Sequence, residues 1–149
     1  MFRILLFSIF VKQLIKTLNM DNRLILNIKK GNCFGFFNGT EYGLILGKVE
    51  NFDDTAVKFD NQMQPVDYAS IRRIEINQLN CESFGWKKSD TTLSSFIIDD
   101  NSAVIFDNEH PALAYKIKSG IIQVSIRYLD ELQEAFRLGL NKELPIKRN

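Results

Sequence analysis

Histidine, tryptophan, cysteine and proline are scarce in this chain: one His, one Trp, two Cys and three Pro in 149 residues. Each scarcity excludes something. His110, Cys33 and Cys81 are too few and too far apart for a zinc pattern. The two cysteines have no partner spacing, so free thiols in a reducing cytoplasm are expected. No apolar run approaches the ~20 residues of a membrane-spanning helix. The stretch between Arg3 and Lys12 holds only eight residues, so no integral membrane segment is expected. Net charge is +1, and no global field draws the protein to nucleic acid or to a membrane. Gly31, Gly35 and Gly39 recur every four residues, but in hairpin-like sequence rather than between a strand and a helix, so they make no phosphate loop. Ser94, Ser95 and Cys81 stand in no nucleophile motif, and His110 precedes Pro111 in loop-like sequence. Asp99, Asp100, Asp107 and Glu109 sit where hairpins turn, and Asp is an ordinary turn former. With no catalytic constellation, the expectation is a protein that is not an enzyme and holds no cofactor or metal.

What is present is a β texture closed by one helix. Hydrophobic residues make up 45% and charged residues 25%, a globular composition, and most of the twelve Phe fall in strand-like runs. The organising stretch is Ile121–Leu140. Ile122, Val124 and Ile126 alternate as a strand does. Leu129, Leu132, Phe136 and Leu140 then recur at helical spacing. Asp130, Glu131 and Glu134 crowd the start and Arg137 the end, as the helix dipole favours. Gly139 and Asn141 are stop signals. A helix this short needs a sheet to lie on.

Three segments follow from the rest of the chain. Residues 1–19 differ in texture from everything after them. They read as a leader with a helical period, or as sequence upstream of a start at Met20. They lack the basic polar face of a membrane-surface helix. Residues 20–77 read as a β module. It has an apolar run at Leu24–Ile28 and strands at Cys33–Phe37, Glu41–Glu50, Thr55–Phe59, Met63–Tyr68 and Arg72–Ile76, with a hairpin signal at Asn38-Gly39. Gly43 and Gly47 mark bends or bulges in the long strand, and Ala69–Ile71 reads as a single helical turn. Five short strands joined by tight turns suggest an SH3-like small barrel. Residues 78–149 open with a helical turn around Leu79–Phe84, stopped by Gly85 and followed by Trp86 as a core anchor. Four strands follow, Leu93–Ile98, Ala103–Phe106, Leu113–Ile117 and Ile121–Arg127, as an antiparallel meander packed by the closing helix. The fold class expected is α+β, mostly β.

Two surfaces are candidate sites. Lys29, Lys30, Arg72, Arg73, Lys87 and Lys88 are basic pairs flanking the barrel and bridge, and small barrels bind nucleic acid through basic rims and exposed aromatics. Phe36, Phe37, Tyr42 and Tyr68 are the aromatics that could join them, although a small barrel needs most of its aromatics inside. Glu50, Asp53, Asp54 and Asp60 form an acidic segment that could enter a basic channel of a partner. The plainer reading makes Asp53 and Asp54 turn formers.

Three stretches together carry a resemblance. They are Ile28–Ile76, closing on Tyr68-Ala69-Ser70-Ile71-Arg72-Arg73-Ile74; the bridge Leu79–Trp86; and Ile126–Gln133 with Phe136 and Asn141–Leu144. The chain resembles a group of small proteins from phages and other mobile elements that pair an SH3-like barrel with a meander and a closing helix. It departs from the group at the short bridge, and residues 1–19 have no counterpart. The resemblance implies a cytoplasmic, non-enzymatic accessory protein that binds and inhibits a host defence effector or its guide RNA complex, as anti-CRISPR proteins do. The alternative is an RNA- or DNA-binding module of phage metabolism.

Overall fold

The period-2 runs become strands, and the computed structural model describes residues 26–39, 43–90 and 94–148. The expectations placed on residues 1–19, Leu24, Tyr42 and Leu93 lie outside the described residues. Among the rest the chain is mostly β, with two antiparallel five-stranded sheets and a C-terminal helix. It divides into two units, Met1–Arg73 and Ile74–Asn149.

The N-terminal unit holds β1 (Cys33–Phe36), β2 (Ile45–Phe52), β3 (Ala56–Phe59), β4 (Val66–Asp67), a 3₁₀ turn (Tyr68–Ser70) and β5 (Ile71–Arg72). Strand order is β4-β3-β2-β1-β5, so β2 is shared between two ladders and bends at an irregularity between Val49 and Asn51. The core is Leu26, Ile28, Phe34, Phe36, Val49, Val57, Phe59, Tyr68 and Ile71. Phe36 and Phe59 stack with centroids 4.5 Å apart. Two expectations are corrected. The run ending at Ile28 is not a strand where it is described: Leu26 and Ile28 are buried, but Asn27 takes φ 51° between them. Among the described residues the long strand starts at Ile45, after Gly43 at φ 99°, outside the extended range; the expected start at Glu41 lies outside the described residues.

The C-terminal unit holds α1 (Gln78–Ser83), β6 (Lys87–Lys88), β7 (Ser94–Asp99), β8 (Ser102–Asp107), β9 (His110–Ile117), β10 (Gly120–Ser125) and α2 (Leu129–Leu140). Strand order is β10-β9-β8-β7-β6. The expected four-stranded meander is therefore corrected to five strands. Lys87 and Lys88 pair with Ile97 and Phe96, and two exposed lysines show no alternation from which a strand could be read. Asn77 caps α1 by accepting from the Asn80 amide at 2.8 Å, and Gly85 at φ 85° follows its end. Trp86 is buried, and its Nε1 donates to the Pro145 carbonyl at 2.7 Å. Helix α2 packs on β9. Its Leu129, Leu132 and Phe136 are fully buried, each contributing ~1.5–3 kcal/mol, which offsets the instability of a short helix alone. Asn141 in the left-handed region ends it. Gly139, expected as a stop, lies inside the helix, where the Tyr115 ring occupies the space a Cβ would take.

Candidate functional site

In the β1–β2 hairpin, Phe36 pairs with Ile45, so the next residues outward are Phe37 and Leu44. Both are large, apolar and about two-fifths exposed, at 42% and 43%. Alternation explains the pair: Phe36 points into the core, and Phe37 must point away from it. The Phe37 amide donates to the Ser70 carbonyl at 3.0 Å, tying the hairpin to the 3₁₀ turn. Arg72 of β5 places its guanidinium 5.8 Å from the Phe37 ring centroid, within cation–π range. Arg72 Nη1 donates to the carbonyls of Ala69 at 2.7 Å and Ile71 at 2.8 Å. The result is an exposed aromatic ring beside an arginine whose geometry is fixed by backbone acceptors.

The other residues singled out in the sequence have different surroundings. Lys29 and Lys30 are exposed at the turn before β1, and Arg73 is half-buried after β5. Lys87 and Lys88 belong to the other unit, on its edge strand. The acidic segment is largely engaged in the hairpins it shapes. One Asp53 carboxylate oxygen accepts from the Thr55 amide at 2.8 Å, the Thr55 hydroxyl at 2.9 Å and the Ala56 amide at 3.0 Å. Asp60 accepts from the Lys48 amide at 3.2 Å, and Glu50 lies 3.5 Å from Lys58. Asp54 is exposed in the β2–β3 turn. Of the candidate aromatics Phe36, Phe37 and Tyr68, Phe36 and Tyr68 are in the core and Phe37 is exposed.

A cleft of about 770 Å³ lies within the C-terminal unit. Glu75, Asn77, Glu109, His110, Ser125 and Arg127 supply its polar wall, over Phe106 and Ile126. Asn108 and Glu109, at φ 49° and 67°, form the two-residue β8–β9 turn. A glutamate in that conformation costs ~1–2 kcal/mol. No hydrogen bond joins Ser125 to His110, and no group of three metal-ligating side chains occurs among the described residues. The cleft offers two carboxylates, an imidazole and a guanidinium for holding a polar group. Glu75 and Arg127 escaped sequence reasoning because no local pattern links residues fifty positions apart. Leu44 escaped it because the strand was expected to begin before it.

Comparisons with protein-family models, with curated proteins and with solved structures give no match.

Proposed function

We propose that this protein acts by binding a protein partner, and that the Phe37–Arg72 pair with Leu44 is the anchor of that contact. The observation that carries this reading is an exposed ring beside an arginine that two backbone carbonyls hold in place. Aromatic and arginine side chains dominate binding energy at interfaces, and fixing them beforehand lowers the entropy lost on association. The partner class follows from the resemblance: a host defence effector, or its guide RNA complex, bound and inhibited by a mobile-element accessory protein. Strand order β4-β3-β2-β1-β5, the bent shared strand β2 and the 3₁₀ turn before β5 support reading the N-terminal unit as a small SH3-like barrel. The nucleic-acid alternative draws less support. Arg72 already donates to two carbonyls, and Lys87 and Lys88 sit on a strand edge, where lysine guards against unwanted pairing.

The test is a phage-restriction assay in a host carrying an active CRISPR system, with the full chain expressed as wild type, Phe37→Ala or Arg72→Glu. The expected result is restored plaque formation with wild type, lost with both variants, together with nuclease-resistant retention of the effector on the tagged protein. Restriction left intact by wild-type protein removes the inhibitor reading. Binding that vanishes with nuclease transfers the weight to nucleic acid.

A further inference from the structure

The described strand order leaves four strand edges, and three are guarded. β4 and β6 are two residues long, β4 follows Pro65 and β6 is Lys87-Lys88. β5 is also two residues long and carries Arg72. These are the usual protections against edge pairing. β10 has none of them. It runs six residues, Gly-Ile-Ile-Gln-Val-Ser, with no charge and no proline. Ile121 is 67% exposed and Ile122 37%.

The direction of its backbone groups follows from the ladder. Ile126 donates to the Pro111 carbonyl, so Ile126 faces β9. Alternation in the β9–β10 register then turns Gly120, Ile122 and Val124 toward β9, and Ile121, Gln123 and Ser125 away from it. Two bonds agree with this. Lys116, the partner of Ile121, donates to Asn101 on the β8 side, and Arg127, the next outward residue, accepts from the Ile76 amide. Ile74–Ile76 thus already pairs antiparallel with this edge beyond Ser125, through the Glu75–Tyr128 bridge. At Asn77 the chain leaves the edge to start α1.

We propose that the β10 edge accepts an extended segment of a partner protein, adding a sixth strand that continues the ladder where Ile76 leaves it. The partner segment is apolar on alternate residues and acidic at the end that lies beside Lys116 and Lys118, both exposed. At the other end of the strand the exposed Arg127 already shares its cleft with Glu75 and Glu109. Main-chain bonds to Ile121, Gln123 and Ser125 supply the affinity, and the flanking charges supply the choice of partner. This surface is independent of the Phe37–Arg72 anchor.

The test uses the full chain and a fluorescein-labelled peptide, Glu-Glu-Val-Thr-Val-Thr-Val-Glu-Glu, against its counterpart with Lys in place of Glu. In fluorescence anisotropy the acidic peptide should bind at least ~10-fold more tightly than the basic one. On binding, the amides of Ile121, Gln123 and Ser125 should gain protection from hydrogen exchange. Gln123→Pro removes one outward donor without touching the β9 ladder and should abolish binding. Gln123→Glu leaves the backbone whole and should weaken the acidic peptide alone. No binding of the acidic peptide, equal binding of both peptides, or binding indifferent to both substitutions would overturn the proposal. So would a dimer in sedimentation that disappears in Gln123→Pro, since a second copy would then be the occupant.

Discussion

Gly47→Ala tests the packing of the N-terminal core directly. Gly47 sits in β2 without a positive φ, so its backbone suits any residue. The gain in chain stiffness alone would favour alanine by ~0.4–1 kcal/mol. The surroundings argue the other way. An added Cβ would lie 2.7 Å from Phe36, 2.8 Å from Phe59 and 2.9 Å from Asn61 Oδ1. Both rings are fully buried and stacked on each other, so neither can swing into solvent. Forcing a methyl group into such a core costs ~1–3 kcal/mol. Sliding the ring pair gives up a further ~0.5–1.5 kcal/mol. Displacing Asn61 weakens its bond to the Leu46 carbonyl, worth ~1 kcal/mol. The net expectation is a loss of about 3 kcal/mol, or roughly 12–24 °C in the melting of a unit this size. Amide exchange across β1 and β2 reads the N-terminal unit, while Trp86, the only tryptophan, reads the other by fluorescence. Faster exchange in β1 and β2 with unchanged Trp86 unfolding is expected. A variant whose N-terminal unit is as stable as the parent's refutes the reasoning.

Three further outcomes are expected. Asp53→Ala should destabilise the N-terminal unit by ~1–2 kcal/mol in urea unfolding, because two amides and a hydroxyl lose their acceptor, and Asp53→Asn should recover most of that. Burial pushes the Cys81 thiol up from 9.0 to about 12. The folded state therefore keeps a proton that the unfolded chain releases, and this group's contribution to stability is whole below pH 9.0 and lost as pH rises toward about 12. At mildly alkaline pH, iodoacetamide should label Cys81 at least ~100-fold more slowly in the native protein than in urea, read by peptide mass mapping. Asp99 is held below the usual carboxylate range: its partial burial opposes ionisation, but the Lys142 ammonium 2.9 Å away, the Ser102 hydroxyl and the Asn101 amide outweigh it. Stability from the ionised carboxylate is present at neutral pH and lost as pH falls through the lowered value. Lys142→Met should cost less than ~1 kcal/mol at neutral pH, since the pair is partly exposed, and nothing once Asp99 is protonated. A pH-independent difference in denaturant midpoint would contradict that assignment.

Legibility varied with the range of the interaction. Helix α2 was readable almost to the residue because Leu129, Leu132 and Phe136 encode one face locally, and all three are buried. Its charged ends and Asn141 stop are also local signals. The helix stopped before Gly85 was readable for the same reason, and the helical turn expected at Ala69–Ile71 stands one residue earlier, at Tyr68–Ser70. The candidate anchor was half legible. Arg72 and Phe37 could each be named, but not their meeting, which depends on the antiparallel pairing of β1 with β5. Gly47 read as a bend and Gly139 as a stop, yet each is a glycine because a distant ring fills the space beside it.

The sequence by itself determined which residues face inward, because a strand repeats every second residue and a helix every 3.6, whatever lies opposite. It also determined the turns, through residues that tolerate unusual backbone angles. Only the tertiary structure decided that Lys87 and Lys88 complete a sheet, that Glu75 and Arg127 share a cleft, and that β10 is an edge strand among the described residues. Strand partners and edges are set by register between segments far apart in the chain, and no local period carries that information.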